Sequence, residues 1–559
     1  MFPLEDRRRY HTGQVRADQR DRLTDPASVT PAAAERPRTP RTGRFAALVA
    51  AGIFCSRIAG LVRQRVFAHY FGLQSDAADA FMAAFRIPNV LQNLFGEGAL
   101  SASFIPVYAA LVARGEREEA SRLAGAVAAL LGLVTAFLVL AGVLATPWLI
   151  AAIAPGFVGP KRDLTISLVR ILFPGAGLLA LSAWCLAILN SHHRFLLSYT
   201  APVLWNVAMI ATLVLFGAET ELPALAWVLA WGSVVGSALQ VGVQLPAVHR
   251  LVPNLRMAFD RSSENVRIVV RNFAPVFVGR GVVQISAYVD ALLASLLPTG
   301  AVTGLANAQL LYTVPVSLFG MSVSAAELPA MSGAAGMAAT EALRHRLDAG
   351  LRRVAFFVVP SAMAFLTLGD VVAAALLQTG RFTHEDAVYV WAILAGSSVG
   401  LLASTLGRLY ASTYYALQDT RTPLRCAVVR VVLTTLLGYI CAILLPPMMG
   451  LSPRWGTAGL TASAGVSGWV EFALLRRTMN RRLGATGLPA TLLVRLWASA
   501  LVAAGIAWLI KMSLPSTNPV ILGGLVLGPY GVVFLGATLL SRVPEAERAL
   551  VDVRRRLGW

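Results

Sequence analysis

About fourteen stretches of roughly 20 mostly apolar residues, separated by short polar links, run between residues 45 and 541 and limit what this chain can become. Twenty residues is about the length at which an α-helix covers roughly 30 Å of hydrocarbon. The stretches are centred near Ile53, Leu91, Leu133, Leu179, Ile210, Val234, Val283, Leu318, Val358, Val399, Leu436, Ala464, Ala503 and Val532. In lipid every backbone donor and acceptor must be satisfied by protein, which leaves helices or closed barrels. The Leu/Ala/Val/Gly runs lack the alternation of barrel strands. The expected class is therefore an all-α membrane protein of about 14 transmembrane helices: two six-helix halves plus a C-terminal helix pair. Composition agrees, with 56% hydrophobic and 14% charged residues, against roughly 25% charged in soluble domains.

The links set an orientation. Arg/His clusters at Arg114–Arg117–Arg122, His192–His193–Arg194, His249–Arg250–Arg256, Arg344–His345–Arg346, Arg421–Arg425, Arg476–Arg477–Arg481–Arg482 and Arg554–Arg555–Arg556 each follow an even-numbered stretch. The intervening links, such as Glu219–Glu221 and Ser513–Asn518, are poorer in basic residues. Basic loops stay in the cytoplasm, so both termini are expected there. The net charge of +19 has the same cause, and no nucleic-acid partner is expected. Residues 1–44 read as a disordered basic tail that meets anionic headgroups, and 542–559 as a second cytoplasmic tail. The first half is placed at 45–250, the second at 251–485 and the final pair at 486–541. Pro88, Leu94-Phe95-Gly96 and Pro106 recur as Pro315, Leu318-Phe319-Gly320 and Pro329, a hint of duplication of the kind transporters use. The four cysteines, Cys55, Cys185, Cys426 and Cys441, form no CxxC pair and read as packing residues.

Charge inside a span costs roughly 2.5–3.5 kcal/mol at the helix centre, so each such residue asks for a reason. The first span carries Ser56-Arg57-Ile-Ala-Gly60-Leu-Val-Arg63. Its arginines stand about 9 Å apart along the axis and about 120° apart around it. They fit a diphosphate, which guanidinium groups grip bidentately; the alternative for Arg63 is snorkelling to headgroups. The second span holds Asp79, Arg86, Pro88 and Glu97. Pro88 should break the helix, and Glu97 either serves the site or neutralises an arginine. Asp290 in the seventh span either binds a coupling cation or proton or pairs with Arg280 or another arginine. Asp76 and Asp79 are spaced like a glycosyltransferase's metal carboxylates, but there is no P-loop, HExxH or GxSxG, and nothing demands catalysis.

In order and spacing, Ser56-Arg57 to Arg63, Asp79-Ala-Phe81, Arg86-Ile-Pro-Asn89, Leu94-Phe-Gly-Glu97-Gly-Ala-Leu-Ser101 and Phe104-Ile-Pro106 resemble the opening of the MurJ/MviN family. The likeness continues through Arg170–Pro174, Ile188–Phe195, Ala201–Asn206, Gln284–Asp290, Gly380–Thr383 and Tyr415–Pro423, over roughly residues 45 to 485. It implies a fourteen-helix fold of the MATE-like exporter superfamily. It also implies flipping of lipid II, an undecaprenyl-diphosphate disaccharide-pentapeptide, for cell wall synthesis. The partners implied are that precursor and membrane lipids. Arg57 and Arg63 match family arginines that line a central cavity and engage the diphosphate, and Asp79 matches another functional position. The final helix pair would form a groove for the lipid tail. The chain departs where the family has a second-span arginine, here Gln92 or Asn93, and an Asp-Arg pair, here Gln309-Leu310. A sodium site of some members is matched by Asp290 but by Thr434 and Gly438 in span eleven. The expected substrate-binding set is Ser56, Arg57, Arg63, Asp79, Arg86 and Glu97, with Asp290 as coupling group. No metal or organic cofactor is expected; coupling is to sodium, protons or the membrane potential. The alternative cargo is another lipid-linked oligosaccharide or a small cationic compound.

Overall fold

The computed structural model describes residues 41–95, 103–255, 263–324, 337–514 and 518–557, with Leu100, Glu327 and Met331 between them. The expectations for Glu97 and for the tail before residue 41 lie outside these residues, as do the side chains of Gln92, Asn93 and Arg280. The first half comprises α1 (Arg41–Phe71), α2 (Asp76–Arg86), α3 (Asn89–Phe95), α4 (Ile105–Ala113), α5 (Arg117–Ile153), α6 (Gly159–Ser191), α7 (Phe195–Phe216) and α8 (Leu222–Leu251). The second comprises α9 (Glu264–Ser295), α10 (Ala301–Pro315), α11 (Met337–Leu377), α12 (His384–Ser398), α13 (Leu401–Ala416), α14 (Arg421–Tyr439) and α15 (Gly456–Leu483). Two more, α16 (Ala490–Ser513) and α17 (Pro519–Leu540), follow. The stretch expected as a tail forms α18 (Pro544–Leu557), an amphipathic helix.

Among the described residues ten helices are long and apolar enough to cross a membrane, and the bent pair α12–α13, 45° apart, makes an eleventh. The other three passes are α1, the α2–α4 series and α9, and these hold most of the candidate site. The apolar passes invert the pattern of a soluble helix. On α5, Leu133, Phe137, Leu140, Leu144 and Trp148 form one exposed face at helical spacing, as lipid contact requires. The opposite face is buried and small, and its Thr135 and Thr146 hydroxyls return to the carbonyls of Leu131 (2.6 Å) and Gly142 (2.7 Å).

Pro88 breaks the second pass as expected. α2 stops at Arg86 and α3 starts at Asn89, because proline lacks the N–H and crowds the preceding turn. A matching disturbance follows Pro315, where the helix widens into a π turn at Val316–Met321. α2 and α10 begin 225 residues apart, the spacing of the sequence echo.

Within the first half α6 packs on α2, α5 and α8; within the second α15 packs on α12, α13 and α14. The halves meet through α2 on α10 and through α9 on α3 and α5. α16 and α17 pack on α11, fixed by the Lys511–Asp370 ion pair and by the Tyr530 hydroxyl donating to the Pro360 carbonyl (2.6 Å). One face of the bundle, called terminal below, carries the end of α17 and the links α6–α7, α13–α14 and α15–α16. The distal face carries the links α1–α2, α9–α10 and α11–α12.

Candidate functional site

The halves are stitched together at the distal face. Asp79 is 1% exposed and accepts from the backbone N–H groups of Gly300 (2.9 Å) and Thr303 (2.9 Å), the Thr303 hydroxyl (2.7 Å) and Lys161 Nζ (2.9 Å). A carboxylate of the first half thus caps the first turn of α10 in the second, where orphan N–H groups and the helix dipole favour a negative charge. Lys161 also meets Asp76 (3.1 Å), which accepts from the Thr299 hydroxyl (2.7 Å). A lysine between the two carboxylates fills the place a catalytic metal would need, so the glycosyltransferase reading of this pair fails. The seam continues with Gln74 donating to Asp386 (2.9 Å), His69 Nδ1 bonded to Thr379 Oγ1 (2.9 Å), the Arg381 N–H donating to the His69 carbonyl (2.9 Å) and Arg65 donating to the Ala375 carbonyl (2.8 Å). Gly72 (φ +66°) and Gly380 (φ +54°) let these turns touch: a Cβ on Gly380 would stand 2.4 Å from the His69 oxygen. Gln64 donates to Asn307 (2.7 Å) at the inner edge of the seam.

Arg57 and Arg63 part company below it. Arg57 precedes Gln64 by seven residues, which puts the two within about 20° on the helix. It therefore looks toward the second half, two turns beyond the last contact, and is exposed there. Among the described residues no acid lies within 4 Å of it. Gly52 and Gly60 lie against Tyr199 and Asn206 of α7. Ser56 sits between them on the same strip, so its position serves packing rather than the cleft. Arg63 points to α7 as well. Its guanidinium lies 5.3 Å from the Phe85 ring and 5.1 Å from that of Trp205, its Nη1 meets Met209 Sδ (3.6 Å), and its Nε is buried with no partner. Neither a diphosphate shared with Arg57 nor snorkelling describes this state; aromatic faces hold the cation.

Between the halves, a cavity of about 180 Å³ is lined by Phe85, Arg86, Asn89, Ser295, Ala306 and Gln309. Arg86 donates to Gln309 (3.2 Å), and its own carbonyl, freed by the Pro88 break, accepts from the Tyr288 hydroxyl (3.0 Å). Asp290 stands in the fields of Arg86 and Arg430, with no ion pair within 4 Å among the described residues and Oδ1 buried without a partner. Of the predicted residues, Asp290 lies in the field of Arg86, Arg57 is exposed on the strip of α1 that carries Gln64, and Asp79 belongs to the seam with no acceptor left for cargo.

Sequence reasoning missed Lys161, Gln64, Asn307 and Thr303. Lys161 had a usable signal, being one of two lysines in an arginine-dominated chain. The others are small neutral residues whose meaning lies in contacts across more than 200 positions.

Residues 67–539 match the family model described as Lipid II flippase MurJ. The chain is 32% identical to the Lipid II flippase MurJ of Burkholderia cenocepacia over 81% of its own length and 86% of that protein's. It is 30% identical to a probable lipid II flippase MurJ of Vibrio cholerae, covering 78% and 82%. Among solved structures it is similar to a Lipid II flippase MurJ in an inward closed conformation, with TM-score 0.71, 22% identity and coverage of 89% and 99%. An inward-facing MATE family transporter of the MOP superfamily matches with TM-score 0.62 and 16% identity, over 78% and 98%. The chain belongs to the MurJ family.

Proposed function

We propose that this protein flips lipid II from the cytoplasmic to the outer leaflet of the bacterial inner membrane, for cell wall synthesis, by alternating access. The observation that carries the reading is the contrast between the two faces: a polar seam closes the distal one, while below it Arg57, with no acid within 4 Å among the described residues, stands exposed on the strip of α1 that carries Gln64. Basic terminal links make that face cytoplasmic, so the cleft admits cargo from the side where the precursor is made. The diphosphate meets Arg57 while the polyprenyl chain stays in lipid. Opening the Asp79–Lys161 seam and closing the terminal side then releases the headgroup outside. No covalent bond changes.

Two terms make the passage feasible. Guanidinium groups and water replace hydrocarbon around the headgroup, removing a cost of several kcal/mol per charge. An inside-negative potential also drives an anion outward, by about 2.3 kcal/mol per charge per 100 mV. A sodium ion fits poorly beside Asp290, which lies in the fields of two guanidinium groups, those of Arg86 and Arg430. We infer coupling to the potential or to protons. A small cationic cargo is disfavoured for the same electrostatic reason, since it would enter against Arg57 and Arg86.

The test is flipping in cells depleted of their own flippase. Arg57→Ala is expected to leave the protein folded and inserted but to lower flipping at least tenfold, with lipid II accumulating on the cytoplasmic side. Wild-type flipping by that variant would remove Arg57 from the path, and failure of the unmodified chain to restore flipping would reject the cargo.

A further inference from the structure

Two guanidinium groups of the second half, those of Arg408 and Arg430, lie outside the seam, and of the two only Arg430 acts on Asp290. α13 is buried on nearly all sides; its one open strip is Ser404, Arg408, Ala411, Ser412 and Tyr415, at helical spacing. A strip facing lipid would be apolar, like the exposed Leu424, Val428, Val432 and Leu436 of α14. The polar strip of α13 therefore borders water. On α14 the strip opposite those exposed residues holds Cys426, Arg430, Thr434 and Gly438 and faces protein.

Both arginines lie deep. Arg408 is eight residues from the terminal end of α13 and Arg430 nine from that of α14, about 12–14 Å along each helix. That is near the middle of a hydrocarbon layer roughly 30 Å thick. Ser404, one turn from Arg408, is bonded to the hydroxyl of Tyr312 on α10 (2.7 Å), and Tyr312 lies in the fields of both arginines. Arg430 pairs with Glu471 (3.2 Å) and stays 40% exposed; Arg408 is exposed and has no acid within 4 Å among the described residues. Two carboxylates, Glu471 and Asp290, for the three guanidinium groups of Arg86, Arg408 and Arg430 leave a positive charge at mid-membrane depth, which is costly unless an anion visits.

We propose that Arg408 and Arg430 form an oxyanion-binding element on the second-half wall of the cleft, taking phosphate or peptide carboxylate oxygens of the cargo headgroup. This rests on the lipid II reading. Tyr312 and Ser404 hold the site beside α10, and Glu471 keeps Arg430 oriented when the anion is away.

The full chain in nanodiscs is tested for binding of undecaprenyl diphosphate, lipid II, and lipid II with its peptide carboxylates amidated. Arg408→Gln is expected to weaken lipid II binding about tenfold or more, with Arg408→Lys intermediate because it lacks the planar fork. Arg430→Gln leaves Glu471 unpaired, so it is read beside the Arg430→Gln/Glu471→Gln pair, with thermal unfolding as the folding control. Equal loss for all three probes makes the bound group the diphosphate, and loss confined to lipid II with free carboxylates makes it the peptide. Unchanged affinity for every probe in the Arg408 and Arg430 variants, while Arg57→Gln still weakens binding, overturns the proposal alone. If the unmodified chain binds none of the probes, the lipid II reading itself falls and takes this site with it.

Discussion

Arg57 and Arg63 share a residue type, a helix and a spacing of six, yet one is exposed and the other is wrapped by Phe85 and Trp205. At this scale, what a charge does depends on the strip it occupies. Asp419 shows the same for an acid. It sits in the α13–α14 link, outside the membrane. The Thr422 backbone N–H (3.0 Å), the Thr422 hydroxyl (2.7 Å) and Arg482 (2.7 Å) hold its carboxyl well below the usual range, at about 2. A carboxyl depressed by folding stabilises the native state above its unfolded pKa of about 4 and loses that contribution as pH falls toward 2. Thermal unfolding in detergent between pH 6 and pH 2.5 is therefore expected to show a steeper decline below pH 4 for the unmodified chain than for Asp419→Asn. Parallel curves would mean these bonds do not bias protonation.

Elements are set by where the helix is allowed to fail. The break at Pro88 frees the Arg86 carbonyl, which takes a hydrogen bond from Tyr288 across the boundary between the halves. A carbonyl left unpaired at this depth has no water to turn to. Tyr288→Phe keeps the ring and its packing but removes the donor. It is expected to lower stability by about 1–3 kcal/mol, read as a drop in the thermal midpoint with unchanged helix content. An unchanged midpoint would show that the broken pass is satisfied in another way. The π turn after Pro315 stands at the matching place in the second half, so both halves interrupt the helix beside which the cavity forms.

At the scale of the molecule, the distal seam is what ties the two halves together on that face. Lys161, Asp79 and the first turn of α10 join the halves through groups with little access to water, and removing one member of such a buried pair costs roughly 3–5 kcal/mol. Asp79→Ala should shift the population toward distal opening. Ala306→Cys, placed in the cavity wall of a cysteine-free variant, reports it. An impermeant thiol reagent added from outside is expected to label it slowly with Asp79 present and at least tenfold faster in Asp79→Ala. Equal labelling would show that the seam is not the gate.

The helical class, the number of passes, the break at Pro88 and the alternation of basic links follow from composition and local spacing. Hydrocarbon thickness, backbone hydrogen bonding and proline geometry act on neighbouring residues, and the family likeness rests on ordered local motifs. Packing alone sets which charges meet. Asp79 caps a helix that begins more than 220 residues later, Arg63 lies among aromatic rings from α2 and α7, and Arg408 is exposed although its helix is otherwise buried. Side-chain partnership across two halves depends on how their helices are rotated and stacked, and no periodicity within one stretch encodes that rotation.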